Sequence, residues 1–550
     1  MAAPAPGRHR STHPMVAILR APALIRALLA FFVFNMAEWA TYIAILVWAF
    51  DSGGASAAGL IAVVQLVPAT LAAPFASVLG DRMRRDRALG VGYAVQAIAL
   101  LATAASLLLD APQPLVYVTA AVAATTIVLT RPVHTAIVPE IAETPAQLTA
   151  GNAASSTVEG IAIFAGPLLT GVLLAFAGPG WVFAVFGLTG IGSALLTWSL
   201  PLKRTFDRVA DPESTLRATV SGLRTLRHQT GALLLTIVVG AQFVVVGLLD
   251  ILTVVLGIDV LDMGPSGPGL LTSALGVGGL VGAAATVVLI GRRRLAPAMA
   301  AGMLVTGIPL VAVALASLPF VAWLLLALSG VGKAFVDVSG RTLLQRSVDS
   351  GVLSRIFGVQ ESLLMGGTAV GSAVAPLLIN TLGARGAFVA TGVVLPAVGL
   401  LAWTQIRKLD ATALQPGPGF ALLESIPMFA LLPTGVLEKL SRDLIPMVVP
   451  DGTAIVTEGE VGDRLYLVAE GQVDIIKSGE SVAVTPAGGF FGEIALLHNV
   501  PRTATVRALG DVELYALERD VFLEAVTGSS AARELADTVA ERRLRNADDV

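Results

Sequence analysis

Residues 490–504, near the C-terminal end of the chain, combine the residue types that bind a small anion. Gly492 stands directly before residues 493–497, which can form one short helix. The N–H groups at the start of a helix have no partner within it, and the helix dipole favours negative charge there. Arg502 adds a guanidinium, whose charge-assisted hydrogen bonds have a planar geometry that lysine cannot match. This spacing therefore predicts an anion-binding site.

The run Phe-Phe-Gly-Glu-Ile-Ala-Leu-Leu-His-Asn-Val-Pro-Arg-Thr-Ala at 490–504 resembles the phosphate-binding cassette of cyclic nucleotide-binding domains. In that family the glycine and the alanine offer backbone N–H groups to the cyclic phosphate, the glutamate binds the ribose 2′-hydroxyl and the arginine pairs with the phosphate. The resemblance gives these roles to Gly492, Ala495, Glu493 and Arg502. It places further residues in the nucleotide site: Phe491, Ile494, Thr503, Ala504 and Val482. Either charge alone would indicate no more than an exposed loop.

The identity of the nucleotide is less well specified. Thr503 follows the arginine, and in the family a hydroxyl at this position is compatible with cyclic AMP and with cyclic GMP. We expect cyclic AMP as the regulatory ligand because it is the commoner of the two as a bacterial signal. Cyclic GMP remains the alternative.

Short strands and helices surround the cassette and are predicted to position it. Four segments alternate apolar and polar residues and are separated by glycine turns, one of them at Gly471: 465–468, 472–475, 481–484 and 512–515. Residues 420–445 are typical of short helices. This order is similar to that of the cyclic nucleotide-binding β-roll, so the resemblance extends over 420–527. It implies that residues 528–550 form a C-terminal lid helix and tail.

The rest of the chain has the composition of an integral membrane protein. Of its 550 residues, 55% are hydrophobic and only 14% are charged, and the mean hydropathy is +0.79. Twelve apolar stretches are each long enough to cross a hydrocarbon core about 30 Å thick. They lie near residues 27–49, 57–79, 88–109, 114–136, 150–176, 180–200, 232–257, 268–290, 296–316, 319–340, 356–380 and 385–406.

The distribution of cations predicts the orientation of these spans. The connections after even-numbered spans are rich in arginine, as at residues 82–87 and 292–294, whereas those after odd-numbered spans carry almost none. Short loops rich in Lys and Arg stay in the cytoplasm. We therefore expect a multi-pass protein of the inner (plasma) membrane, with both termini and the C-terminal domain in the cytoplasm.

The membrane part also contains an internal repeat. Pro-Leu-Leu at 167–169 recurs at 376–378 in the corresponding later span. The predicted fold is an α-helical membrane protein of twelve transmembrane helices in two six-helix repeats, with a C-terminal α+β cyclic nucleotide-binding β-roll. The expected boundaries are a cytoplasmic N-terminal tail (1–23), a membrane domain (24–406, with halves 24–200 and 231–406 and a loop 201–230) and a Pro/Gly-rich linker (407–419).

The connection Gly-Asp-Arg-Met-Arg-Arg at 80–85 resembles the loop between spans two and three of the major facilitator superfamily. Two positions depart from the family pattern, because Ser77 and Arg84 stand where the family has glycine. The resemblance covers roughly residues 20–406 and implies secondary transport, with export as its usual direction. It implies a gating role for Asp81, Arg82 and Arg85; anchoring by the positive-inside rule is the alternative for the arginines.

Ionisable residues inside the spans are candidates for transport or coupling. A charge at bilayer depth costs about 3 kcal/mol or more, so it usually faces a wet cavity or a partner. Glu38 lies at the centre of the first span on the same helical face as Asn35, which predicts substrate contact or proton coupling. Asp250 could face the same cavity, and Glu159 could pair with Arg131. A packing role for Glu38 is the alternative.

Other classes of function are not supported. The net charge of −3 is too near neutral to indicate a nucleic-acid partner, and none is expected. The absence of cysteine excludes disulfides and thiolate metal sites. The sequence has no Walker loop, catalytic triad or metal-ligand cluster, so neither an enzyme nor an ATP-driven pump is indicated.

We therefore predict a secondary active transporter, with proton-coupled efflux of a small molecule, regulated by a cytoplasmic cyclic nucleotide. Its expected partners are the lipid bilayer, the small-molecule substrate and the nucleotide. One alternative is a transport-inactive membrane receptor for the nucleotide, and another is an exporter of the nucleotide itself.

Overall fold

The computed structural model describes residues 21–72, 84–141, 145–198, 200, 226, 229–289, 292, 294–347, 350–412, 417–430, 432, 434–527 and 530–548. The chain divides into two compact units. The membrane unit comprises Met1–Val288 and Leu295–Ala413, and the C-terminal unit comprises Leu414–Val550 with the short segment Leu289–Arg294.

The membrane unit is built from long apolar helices. Ten helices in the described part of the chain are long and apolar enough to cross a membrane. The helices of this unit are α1 (Pro22–Ala72), α2 (Arg85–Leu108), α3 (Gln113–Ile141), α4 (Pro145–Phe176), α5 (Gly178–Thr197), α6 (Thr230–Val255), α7 (Gly267–Ala285), α8 (Ala296–Val313), α9 (Pro319–Ser347) and α10 (Ser350–Thr412). Several of them, such as α9, run beyond the predicted span because a helix need not end where the hydrocarbon core ends.

Two of these helices are too long for one crossing. α1 has 51 residues and α10 has 63, which correspond to roughly 75 and 95 Å at 1.5 Å per residue. The backbone leaves the helical region at Gly54, where φ is +64°, and at Gly383, where φ is +72°. Glycine adopts such φ values at little cost, so each long helix consists of two parts joined at a glycine. Counting the parts separately gives twelve spans; that number and the two six-helix repeats stay predictions.

Small residues let helices of the membrane unit approach closely. A Cβ at Gly278 would lie 1.8 Å from the carbonyl oxygen of Ala327, so α7 packs directly on α9. A Cβ at Gly371 would lie 2.1 Å from the carbonyl oxygen of Val244, which brings α10 equally close to α6. Such small-residue contacts are the usual means of helix association in a bilayer, where apolar burial alone drives little packing.

The C-terminal unit is an antiparallel sheet with short helices before and after it. Its elements are α11 (Phe420–Ser425), α12 (Thr434–Asp443), β1 (Ile445–Val449), β2 (Ala454–Val456), β3 (Arg464–Lys477), β4 (Glu480–Pro486), β5 (Phe490–Phe491), α13 (Glu493–Leu497), β6 (Thr505–Glu518), α14 (Arg519–Thr527) and α15 (Ser530–Asp548). The sheet order is β1-β6-β3-β4, with β2 paired to β6 and β5 paired to β3.

One strand differs from its prediction. The segments 465–468 and 472–475 were expected to be separate strands with a turn at Gly471, but they form one strand, β3. Gly471 has a φ of +86°, and the register of β3 against β6 shifts between Val468 and Gln472. A left-handed glycine produces a bulge as readily as a turn, and the long partner strand β6 keeps both segments in one ladder.

Two apolar cores hold this unit together. One lies within the β-roll and includes Val473, Phe491 and Leu514. The other joins the helices to the sheet: it contains Phe420 of α11 and Leu496 of α13 among its buried side chains. This second core also includes Ala532 and Ala536 of α15, the helix that was expected over the C-terminal residues.

Candidate functional site

A cavity of about 310 Å³ opens in the C-terminal unit between the sheet and α13. All of the residues predicted to bind the nucleotide line it: Val482, Phe491, Gly492, Glu493, Ile494, Ala495, Arg502, Thr503 and Ala504. The fold therefore brings these residues together; their contact with a nucleotide stays a prediction. The lining also includes residues that were not predicted: Val456, Ile475, Lys477, Ala483, Thr485, Val506 and Arg543.

Gly492 shapes the entrance of α13. Its φ is +92°, in the left-handed region that side chains rarely adopt, and it stands directly before the first helical residue. A Cβ at this position would lie 2.6 Å from Nη1 of Arg502. Glycine is thus required here both by the backbone conformation and by the guanidinium beside it. The unpaired N–H groups of the first turn of α13 follow directly.

Arg502 is a buried cation, with only 4% of its surface exposed. Its Nη1 donates to the carbonyl oxygen of Gly492 at 3.0 Å, and its Nη2 donates to the carbonyl oxygen of Arg464 at 2.8 Å. Nη2 also lies 3.3 Å from Oδ1 of Asp463. These contacts fix the plane of the guanidinium and engage three of its five N–H donors.

An aromatic ring packs beside this guanidinium. The central carbon of the Arg502 guanidinium lies 5.7 Å from the ring centre of Tyr466, within the range of a cation–π interaction. Burial raises the pKa of the Tyr466 phenol, and the Asp463 carboxylate raises it further. The phenol therefore stays neutral at physiological pH and adds no negative charge to a site suited to an anion.

Glu493 is a buried carboxylate, with 1% of its surface exposed. Its Oε1 accepts a hydrogen bond of 2.7 Å from Nη1 of Arg543, which lies on α15. The same nitrogen donates to the carbonyl oxygen of Phe490 at 2.9 Å, and the guanidinium stacks over the Phe490 ring at 4.4 Å. A carboxylate has about four acceptor positions, so Glu493 can accept a further hydroxyl from within the cavity.

The charges in the membrane unit form separate groups. Arg131 on α3 pairs with Glu38 on α1, and its Nη1 lies 2.8 Å from Oε1 of Glu159 on α4. The expected pairing of Glu159 with Arg131 is confirmed, and Glu38 joins it. Asn35 instead donates to the carbonyl oxygen of Phe31 in its own helix at 2.8 Å.

Asp250 lies in another group. Its Oδ2 accepts a hydrogen bond of 2.9 Å from the hydroxyl of Tyr42, so the bond joins α6 to α1. A third group lies on α6 and α9, where Asp337 accepts from Gln242 and from Lys333, each at 2.7 Å. Lys333 and Asp337 thus form a salt bridge between positions four apart on α9.

Of the residues given a gating role, Asp81 and Arg82 lie outside the described residues. Arg85 begins α2, and its Nη1 donates to the carboxylate of Glu140 and to the carbonyl oxygen of Ala136 on α3. In the described part of the chain, no group of three or more His, Cys, Asp or Glu side chains is placed to hold a metal ion.

Two family models match the chain. Residues 27–296 match the Major Facilitator Superfamily, and residues 446–528 match the cyclic nucleotide-binding domain. The first match begins within α1 and ends at the first residue of α8. The second begins at the second residue of β1 and covers the rest of the sheet, α13, α14 and every cavity-lining residue except Arg543.

Several curated proteins are similar to part of the chain. A cAMP-dependent protein kinase regulatory subunit of Yarrowia lipolytica is 40% identical over 116 residues, which are 21% of this chain and 31% of that protein. A cyclic nucleotide-gated potassium channel of Rhizobium etli is 33% identical over 152 residues, 26% of this chain and 39% of the channel. A cGMP-dependent protein kinase of Caenorhabditis briggsae is 46% identical over 71 residues, 13% of this chain and 10% of the kinase.

The chain thus spans well under half the length of each of these relatives. Each of these similarities covers 13 to 26% of this chain, and the two family matches are separate findings. The chain therefore joins a major facilitator superfamily domain to a C-terminal cyclic nucleotide-binding domain.

Proposed function

We propose that this protein is a secondary active transporter of a small molecule and that a cyclic nucleotide bound in its C-terminal unit regulates it. The observation that carries the proposal is the cavity in which the buried guanidinium of Arg502 and the buried carboxylate of Glu493 lie beside the start of α13. The two family matches support the pairing of transport with nucleotide binding.

The residues of the cavity suit the parts of a cyclic nucleotide. The cyclic phosphate would accept hydrogen bonds from Arg502 and from backbone N–H groups of α13, including that of Ala495. The ribose 2′-hydroxyl would donate to Glu493. The purine would then lie against the apolar side chains of the β-roll, such as Ile475 and Val482, with Thr503 beside it.

We propose cyclic AMP as the regulatory ligand and cyclic GMP as the alternative. The named relatives include kinases dependent on each nucleotide, so their names do not separate the two. The hydroxyl of Thr503 is compatible with both. Titration of each nucleotide into the purified full-length protein, followed by calorimetry, decides between them, and no binding of either would overturn the proposed site.

For transport, we propose proton-coupled efflux with Glu38 and Glu159 as coupling groups. Arg131 lies between these two carboxylates, so the group carries one carboxylate in excess. An uncompensated charge at bilayer depth is costly, which favours binding of a proton or a cationic group. Asn35 and Asp250 would contact the substrate or take part in coupling. Asp81, Arg82 and Arg85 would act in gating. A Glu38→Gln variant that moved protons like wild type would exclude Glu38.

The proposed location is the plasma membrane, with both termini and the nucleotide domain in the cytoplasm. Regulation requires that the nucleotide binds two conformations of the full chain with different affinities. The test of the function is flux in liposomes. A compound that stabilises the protein in a thermal-shift screen should move across the membrane, and no flux of any compound would favour a nucleotide receptor instead.

A further inference from the structure

The end of the last membrane helix lies close in the chain to the nucleotide domain. α10 ends at Thr412, and the backbone N–H of Gly417 donates to the hydroxyl of Ser441 on α12 at 2.8 Å. At about 3.6 Å per residue, the chain between these two residues spans at most roughly 18 Å. A connection this short limits how far one end can move without the other, whereas a long flexible linker would leave the two ends independent.

Asp410, in the last turn of α10, holds the start of another membrane helix. Its carboxylate accepts hydrogen bonds of 3.0 to 3.1 Å from the backbone N–H groups of Leu295 and Ala296, and the residue is only 2% exposed. α8 begins at Ala296 and receives no side-chain cap from its own N-cap residue, Leu295. Asp410 therefore supplies from α10 the N-terminal cap that α8 lacks.

The neighbouring residue holds a second helix in the same way. A Cβ at Gly231, next to the start of α6, would lie 2.5 Å from Cδ1 of Leu409. Leu409 thus packs directly against the first turn of α6. The pair Leu409 and Asp410, which we call the α10 anchor, contacts the N-terminal ends of α6 and α8 together.

α6 continues from the α10 anchor to the charged groups of the membrane unit. Along this helix Gln242 donates to Asp337 on α9, and Asp250 accepts from Tyr42 on α1. A helix moves as a rigid element over this length, so a displacement at Gly231 reaches both contacts.

On the nucleotide side, the first helix after the connection shares a core with the cavity. Phe420 and Leu423 of α11 belong to the same buried cluster as Leu496 of α13 and Ala536 of α15. Glu493, one turn before Leu496, lines the cavity. A nucleotide-dependent shift of α13 would therefore reach α11 through direct packing.

We infer that the α10 anchor is the joint through which nucleotide occupancy acts on the membrane unit. The inference rests on the proposed regulation and specifies its route: cavity, α11, the short connection, the anchor, and then α6 and α8. Weakening the α10 anchor should leave nucleotide binding intact. The bound nucleotide should then no longer change the arrangement of the membrane helices.

Because the chain has no cysteine, spin labels can be placed without removing native residues. Ser52→Cys and Thr381→Cys lie on exposed positions beside the glycine breaks of α1 and α10. Distances between the two labels, measured by double electron–electron resonance on the full chain in liposomes, report the conformation of the membrane unit. In wild type, saturating cyclic AMP should change the ratio of the two distance populations by at least about fivefold, the lower limit of typical allosteric coupling.

In Asp410→Ala and Leu409→Ala the same nucleotide should change this ratio by much less, while the calorimetric Kd for cyclic AMP stays that of wild type. Gln405→Ala, at an exposed position on the same helix, should respond like wild type. Asp410→Asn keeps one acceptor oxygen and replaces the alanine variant if that variant fails to fold. In Asp410→Asn, cyclic AMP should change the distance ratio by less than in wild type.

Two outcomes would overturn the inference, and they differ in their consequences. If wild type binds cyclic AMP but its distances do not change, the proposed regulation fails and the inference fails with it. If wild type responds and both anchor variants respond equally, the regulation stands and the route through the anchor is wrong. Insertion of Gly-Gly-Ser after Gln415 tests the short connection separately from the anchor. It should abolish the distance change caused by cyclic AMP while both units stay intact.

Discussion

Among single residues, Arg502 and Glu493 define the chemistry of the nucleotide cavity. Both are almost fully buried, and burial of a charge is tolerated only where partners compensate it. Arg502 has two backbone carbonyl groups and Asp463, and Glu493 has Arg543. Both side chains keep hydrogen-bonding capacity toward the cavity. These partners all belong to the protein itself and hold both side chains in place.

Replacement of Arg502 by alanine should weaken cyclic AMP binding by about 10- to 100-fold. A hydrogen bond to a charged group contributes about 1.5–3 kcal/mol, and each 1.4 kcal/mol is tenfold in Kd. Calorimetry on the full chain measures the change. Arg507→Ala, on the exposed face of β6, is the matched control and should bind like wild type. Equal affinity for Arg502→Ala and wild type would show that the pocket is misassigned.

Replacement of Gly492 by alanine tests the close approach of the backbone to the guanidinium. The new Cβ would stand 2.6 Å from Nη1 of Arg502 and displace it, in addition to a left-handed backbone cost of about 1–2 kcal/mol. Gly488 also has a positive φ, but nothing lies near its Cβ position, so Gly488→Ala carries the backbone cost alone. We expect cyclic AMP affinity to fall clearly more for Gly492→Ala. Equal losses would mean that the guanidinium contact is irrelevant to binding.

Among the secondary structure elements, α13 and α15 meet at the cavity although they lie far apart in the chain. Arg543 of α15 bridges the Glu493 side chain and the Phe490 carbonyl group. The C-terminal helix is thus fastened to the residue that is proposed to bind the ribose. Occupancy of the cavity and docking of α15 should depend on each other.

Arg543→Ala should loosen α15 and weaken nucleotide binding, because it leaves the buried carboxylate of Glu493 without its partner. The amide hydrogens of 530–548 should then exchange faster, as hydrogen–deuterium exchange with mass spectrometry would record. Arg542, the adjacent and exposed arginine, gives the control Arg542→Ala, for which wild-type exchange is expected. Unchanged protection of α15 in Arg543→Ala would contradict this docking.

The sequence predicts those cavity residues that lie in one continuous run, and it misses those that tertiary contacts bring to the cavity. The cassette is one continuous run of residues, so the sequence alone is enough to predict which of them line the cavity. Arg543 comes from a distant helix. The only indication of it in the sequence is that it follows Val539 by four residues, which places both on one face of the helix. Lys477 and Thr485 line the cavity through the pairing of β3 with β4, which depends on tertiary register. The same tertiary pairing turned the expected turn at Gly471 into a bulge.

The membrane unit shows the same limit. Hydropathy alone located the apolar helices, since a bilayer demands length and apolar composition. It could not show that Arg131 lies between Glu38 and Glu159, or that Tyr42 reaches Asp250, because these contacts join helices distant in sequence. Helical spacing also could not show that the Asn35 amide bonds back to its own helix at Phe31.

In the whole molecule, a short connection joins the major facilitator superfamily domain to the cyclic nucleotide-binding domain. The nucleotide can regulate transport only through a difference in its affinity for two conformations, typically about 1–3 kcal/mol. By linkage, the nucleotide and a transported compound that prefers one conformation must change each other's binding affinity by the same factor. The α10 anchor is the element that we assign to this coupling.

The most direct test of regulated transport is the flux of a transported compound in liposomes, measured with and without saturating cyclic AMP on the side of the C-terminal unit. For wild type, we expect cyclic AMP to change the flux at least about fivefold. For Arg502→Ala, we expect the same flux under both conditions. A wild-type flux that does not change while calorimetry shows the cavity to be occupied would contradict regulation of transport by the nucleotide.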